Sequence, residues 1–95
     1  MKAVWKDQVI AESNETVGLE GNQYFPATSV KMSFLKKSGN QYTCPWKKAP
    51  CDYYNIEVNG EINKDAAWVY PVVNSALGKQ IEGMFAFWNG VEIVQ

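Results

Sequence analysis

Two Asn-Gly pairs, Asn59-Gly60 and Asn89-Gly90, constrain this chain more than any other feature of its sequence. Tyr54-Asn55-Ile56-Glu57-Val58 precedes the first pair and Glu61-Ile62 follows it. Met84-Phe85-Ala86-Phe87-Trp88 precedes the second, and Val91-Glu92-Ile93-Val94 follows. A two-residue type I′ turn needs positive φ at both central positions, which Asn tolerates and Gly adopts freely. Each pair therefore predicts a tight antiparallel hairpin. A third hairpin is expected at Lys6-Asp7-Gln8, between Ala3-Val4-Trp5 and Val9-Ile10-Ala11.

The patterning around these turns is that of strands. Tyr54, Ile56 and Val58 share one face, leaving Asn55 and Glu57 on the other. Met84 to Trp88 is apolar on both faces, which predicts a strand covered on both sides. Thr16 to Glu20 and Ala67 to Tyr70 are further strand candidates. The two ends echo one another, with Trp5 and Trp88 each just before a turn. They are expected to pack as neighbours in one sheet or barrel, both rings in the core. Helix is scarce. Pro26 to Met32 suits a single turn opened by Pro, and Asn74-Ser75-Ala76-Leu77, stopped by Gly78, suits a second. The expected architecture is one mainly β domain over residues 1–95, a hairpin-rich sheet or barrel-like fold with one or two short helical turns.

A chain of 95 residues buries little more than ~60% of the surface its unfolded form exposes. Four Trp, five Tyr and four Phe make that burial efficient. There is no His, which excludes Ser-His-Asp and Cys-His catalysis within one subunit and any His-ligated zinc site. All nine basic residues are Lys. Without Arg forks, sequence-specific nucleic-acid reading is not expected. Met1 to Asp7 lacks the apolar run of a secretory signal, and no segment approaches ~18 consecutive apolar residues. The expectation is a soluble, cytoplasmic chain with no membrane partner and with Cys44 and Cys51 as thiols.

Charge is uneven along the chain. Residues 21–51 hold five Lys (31, 36, 37, 47 and 48) and no acid, while all ten acids lie elsewhere. One reading is an anion site, with Lys ammoniums beside aromatic rings. The other, which carries more weight without Arg, is solvated Lys on loops and edge strands, where it discourages edge pairing.

Two stretches concentrate the remaining chemistry. In Thr43-Cys44-Pro45-Trp46-Lys47-Lys48-Ala49-Pro50-Cys51, two prolines stiffen a loop around Trp46, and Lys47 is placed to lower the Cys44 pKa. The plainer reading makes Cys44 a small buried hydrophobe and Trp46 a core plug. In Lys64-Asp65-Ala66-Ala67-Trp68-Val69-Tyr70-Pro71, Trp68 and Tyr70 share a strand face, and Asp65 serves as general base or, more simply, caps a turn with Asn63.

These blocks also carry a resemblance. Tyr24-Phe25-Pro26, Thr43-Cys44-Pro45-Trp46-Lys47, Tyr53-Tyr54, Asp65 to Pro71 and Ala86-Phe87-Trp88-Asn89-Gly90-Val91 occur in the order seen in domain-of-unknown-function family 427, widespread in bacteria. The resemblance implies a compact, largely β fold and no established reaction. It matches at Cys44, Pro45, Trp46, Lys47, Asp65, Ala67, Trp68 and Tyr70. It departs at Lys48, where the family commonly has Gly, and in the additional Cys51. The family also carries a nucleotidyltransferase label. That chemistry needs clustered carboxylates holding Mg²⁺, whereas Asp7, Asp52 and Asp65 are scattered and no Gly-rich loop opens a helix.

The sequence thus points to a binding or accessory module. Its pocket is expected between the Cys44–Lys48 loop and the Asp65–Pro71 strand, for a small anionic or aromatic ligand. Trp46, Trp68 and Tyr70 would supply walls and Lys47 the charge. The alternatives are an enzyme with Cys44 as nucleophile or redox centre and Asp65 as base, or a protein-interaction module. No metal, cofactor or oligomeric state is implied. If Lys47 activates Cys44, iodoacetamide labels that thiol near neutral pH much faster than a free thiol of pKa about 8.5. A rate no faster removes the nucleophile.

Overall fold

The computed structural model describes residues 1–44, 49–73, 75–76 and 78–95, with backbone alone at Cys44 and Ala49. The expectations for Trp46, Lys47, Asn74, Leu77 and the Cys44 side chain lie outside the described residues. Nine strands are found among them: β1 (Lys2–Trp5), β2 (Gln8–Glu12), β3 (Val17–Leu19), β4 (Asn22–Tyr24), β5 (Leu35–Cys44), β6 (Ala49–Val58), β7 (Glu61–Val69), β8 (Phe85–Phe87) and β9 (Glu92–Val94). They form three antiparallel sheets, ordered β2-β1-β9, β3-β4 and β5-β6-β7-β8. The mainly β expectation is met by these open sheets and not by a closed barrel. No helix among the described residues is long and apolar enough to cross a membrane.

The turns follow the backbone chemistry. At Asn59-Gly60 φ is 52° and 82°, and Val58 pairs with Glu61 to start the β6–β7 hairpin. Lys6 and Asp7, at φ 52° and 62°, turn β1 into β2 with no glycine at all. Glu20-Gly21 does the same between β3 and β4, at φ 56° and 80°, a hairpin the Asn-Gly signature does not flag.

Asn89-Gly90 corrects the expectation in an instructive way. Both residues have positive φ, 54° and 94°, and Val91 N–H donates to the Trp88 carbonyl across the turn. Yet β8 pairs with β7, and β9 pairs with β1. The turn carries the chain from one sheet to another. Trp88 N–H is already taken by the Ala66 carbonyl, and β1 offers β9 a free edge.

β8 is covered on both faces, as expected, with Phe85, Ala86 and Phe87 all buried. Its free edge is closed by Phe25, whose backbone exchanges two hydrogen bonds with Phe85. Phe85 and Phe87 enter one core with Ile10, Phe25 and Ile56, roofed by β1 and β2. Ala86 points the other way, into a second core with Tyr24, Cys51, Tyr70, Val73 and Ile81, covered by the β3–β4 hairpin. The four-stranded sheet is therefore a middle layer. Trp5 packs against the first core as expected, but Trp88 does not: its side chain is half exposed. Pro26 precedes a 3₁₀ turn at Ala27–Ser29, and a second follows at Met32–Phe34. Further on, Ser75 Oγ accepts from Gly78 N–H as an N-cap does, the Ser75 carbonyl accepts from Lys79 N–H, and a 3₁₀ turn follows at Lys79–Ile81.

Strand pairing accounts for two of the five lysines between residues 21 and 51. β5 is an edge strand, and its Lys36 and Lys37 reach Glu57 and Asp52 on β6 at 3.6 and 4.0 Å. Such exposed pairs contribute about 0–1 kcal/mol each. The solvated edge-strand reading holds for these two lysines.

Asp65 is neither a turn cap nor at a strand end. It lies inside β7 at φ 55°. Tyr54 opposes Ala67 while Ile56 opposes Asn63, so β7 bulges here. β5 is displaced on the other side of Tyr54, between Lys37 and Gln41, with Gly39 at φ 89°. The two irregularities are joined: Asn40 Nδ2 donates to Asp65 Oδ2 at 2.8 Å, and Asp65 N–H donates to Asn55 Oδ1 on β6 at 2.9 Å. Asp is among the few non-glycine residues that tolerate the left-handed region such a bulge demands.

A Cβ at Gly60 would meet nothing within 4 Å. Gly60→Ala is therefore expected to lower stability by about 1–2 kcal/mol through backbone strain alone, and Ile56→Ala by about 2–5 kcal/mol through a core cavity. Urea unfolding of both variants checks the ranking.

Candidate functional site

One face of the middle sheet carries a band of aromatic side chains, placed there by strand periodicity. Cys51 and Tyr53 alternate on β6, and Trp68 and Tyr70 do so at the end of β7. Tyr53 lies directly opposite Trp68, and Trp68 opposite Ala86. Two residues past Ala86 comes Trp88, and Tyr42 on β5 lies opposite Cys51. From the covering hairpin, Tyr24, Asn22 and Glu20 close the other side. Together these residues line a cavity of about 200 Å³. Trp88 and Tyr42 are each 52% exposed, so the cavity reaches solvent at their edge.

The rings are held at steep angles. Trp68 meets Tyr24 at 86° with centroids 6.3 Å apart, and Trp88 at 79° and 6.4 Å. Edge-to-face pairs of this kind contribute about 0.5–1.5 kcal/mol each beyond area. Both indole N–H groups are occupied. Trp68 Nε1 donates to Tyr24 Oη at 3.3 Å, and Trp88 Nε1 donates to the Asp65 carbonyl. The β7 bulge thus fixes the ring that forms the outer wall. Tyr70 is held from behind, where Gly83 N–H donates to its carbonyl. The loop after it is tied by Glu82, which accepts from Val73 N–H and Lys79 Nζ. Those hydrogen bonds hold the Glu82 carboxyl below its ordinary pKa.

Cys51 sits at the buried side of the cavity, 1% exposed, as a free thiol. Burial pushes its pKa up, outweighing hydrogen bonds from the Tyr42 backbone and the Tyr53 and Tyr70 side chains, and the nearby Asp52 adds to the rise. Burial likewise raises Tyr53, helped by Cys51 and by the Asp65 charge. Near neutral pH this is an uncharged thiol, a poor nucleophile.

Of the residues expected to form the site, the structure brings Trp68 and Tyr70 together on one cavity. It does not put Asp65 in the lining. That carboxylate turns toward Asn40, with Oδ1 buried and without a hydrogen-bond partner, and only its carbonyl serves the site. Tyr24, Tyr42, Tyr53 and Trp88 are lining residues that sequence reasoning passed over. Period-two spacing from Cys51 and from Ala86 would have found Tyr53 and Trp88. Tyr24 comes from a separate hairpin and leaves no such mark. No group of three or more Cys, Asp or Glu among the described residues is arranged to hold a metal.

The sequence profile described as "Domain of unknown function (DUF427)" matches residues 1–95, and the chain belongs to that family. No curated protein matches it.

Because Cys51 and Tyr53 hold their protons more tightly folded than unfolded, the folded state binds more protons at alkaline pH. Stability is then present in full below the unfolded thiol pKa of about 8.5 and falls as pH rises above it. Urea midpoints from pH 7 to 10.5 should show that fall, and Cys51→Ala should make it shallower.

Proposed function

Taking membership of this family as the premise, we propose that the chain is a small-ligand binding module whose ligand enters the aromatic cavity between the middle sheet and the β3–β4 hairpin. One observation carries this reading. Six aromatic side chains from β4, β5, β6 and the ends of β7 and β8 converge on a single solvent-reaching cavity, and two of them stay half exposed where a stability-driven core would bury them. Convergent aromatic walls with a few polar groups are the usual make-up of a ligand pocket.

Size narrows the occupant. About 200 Å³ lies below the ~300–1,000 Å³ of pockets for drug-sized ligands. The cavity suits one ring or one compact head group, not a whole nucleotide. The lining supplies stacking surface and phenolic hydroxyls, and among the described lining residues Glu20 is the one carboxylate, short of the cluster that metal-assisted nucleotidyl transfer needs.

Ligand-observed NMR with a library of single-ring and head-group fragments tests the proposal. Wild-type protein is expected to bind a subset, and Trp88→Ala and Trp68→Ala to lose that subset. Trp88→Ala, a change at an exposed ring, should shift Tm by less than about 4 °C, the equivalent of ~1 kcal/mol. Absence of any fragment binding, or hits that survive both substitutions, overturns the reading.

A further inference from the structure

The two Asn-Gly turns share a chemical property that their surroundings then divide. Asn followed by Gly is the dipeptide in which a side-chain amide converts most readily to an acid, because glycine leaves the attacking backbone nitrogen unshielded. Both pairs lie at the surface, with φ 52° and 82° at Asn59-Gly60 and 54° and 94° at Asn89-Gly90. The φ angles therefore give neither site an advantage. We propose that Asn59 is a site of spontaneous modification to aspartate and isoaspartate, and that the fold protects Asn89 from the same change.

The reaction balances as an amide hydrolysis, with water as the co-reactant. The Gly60 backbone nitrogen, its proton taken by solvent base, bonds to Asn59 Cγ. The Cγ–Nδ2 bond then breaks and ammonia leaves, which closes a cyclic succinimide. Water opens that ring at either carbonyl. Opening at Cγ yields aspartate, and opening at the backbone carbonyl yields isoaspartate, whose main chain runs through Cβ and Cγ.

Ring closure needs the Asn side chain to swing freely onto the nitrogen of the next residue. At Asn89 that swing is opposed. Its Nδ2, the leaving group, donates to Asn63 Oδ1 at 3.1 Å, and its carbonyl accepts from Asn63 Nδ2 at 2.8 Å. Asn63 lies within β7 and is half-buried, so the clamp is anchored in the sheet. Gly90 also has a close neighbour, since a Cβ there would lie 3.9 Å from Trp5 Nε1. At Asn59 both restraints are missing. No described residue hydrogen-bonds its side-chain amide, and nothing lies within 4 Å of a Cβ at Gly60. Two hydrogen bonds to break at one site and none at the other set a rate difference of about tenfold or more. The product bears on the fold. Isoaspartate lengthens the main chain by one carbon where Val58 and Glu61 pair, and it adds a negative charge two residues from Glu61, which Lys6 meets at 3.6 Å.

The experiment incubates the folded full chain at mildly alkaline pH. Each site is followed by digestion and mass spectrometry, and isoaspartate is counted by isoaspartyl methyltransferase labelling. Asn59 is expected to convert about tenfold or more faster than Asn89. In urea, where the clamp is gone, the two rates should come together. Asn63→Ala in the folded state should raise the Asn89 rate toward that of Asn59 and leave Asn59 unchanged. Equal rates in the folded protein, faster conversion at Asn89, or a gap that persists in urea overturns the proposal. An Asn89 rate that stays at its wild-type value in Asn63→Ala overturns it too. The wild-type comparison decides the matter whether or not that variant folds.

Discussion

The bulge at Asp65 is the constraint on which most of this structure's arrangement turns. A single residue in the left-handed region lets β7 shift its register against β6, and the backbone N–H and carbonyl of that residue are both reused. Its N–H finds Asn55, its carboxylate finds Asn40 on the far side of β6, and its carbonyl takes the Trp88 indole. The irregularities of β5 and β7 fall on either side of Tyr54 in the strand between them and are hydrogen-bonded to each other. Past the bulge, Ala67 and Val69 face one core, while Trp68 and Tyr70 face the cavity.

The same interaction explains how a half-exposed tryptophan keeps a fixed place. Trp88 is held at the backbone by the Ala66 carbonyl and at the ring by the Asp65 carbonyl. Preorganisation of this kind lowers the entropy that a ligand must forgo on binding. The electrostatics around the ring are equally settled. Burial keeps the Cys51 thiol and the Tyr53 phenol protonated, and Lys36 and Lys37, two of the five lysines between residues 21 and 51, pair with acids across β5 and β6.

Much of the fold was legible because it rests on local rules. Asn59-Gly60 and Lys6-Asp7 form their hairpins, and the doubly apolar run at Phe85 to Phe87 is a strand buried on both faces. The misreadings share a cause. Asn89-Gly90 makes its turn without making a hairpin, since turn geometry says nothing about which edges lie within reach. Trp88 was read as core for the same reason, although identical local grammar does place Trp5 against a core. Asp65 was read through its carboxylate, when its backbone does the positioning. The candidate site was half visible: Trp68 and Tyr70 by alternation, Tyr24 not at all, because its partner in space, Trp68, is 44 residues away.

What the sequence by itself determined is the set of turns and alternating strands. Positive φ at Asn, Asp and Gly, together with side chains that switch faces every residue, are properties of neighbours along the chain. What only the tertiary structure decided is which strands share a sheet, that Trp88 faces a cavity, and that Lys36 and Lys37 meet acids. Those outcomes depend on edge hydrogen bonds and on layers stacking across long loops, whose energies arise between residues distant in sequence and leave no local signature to read.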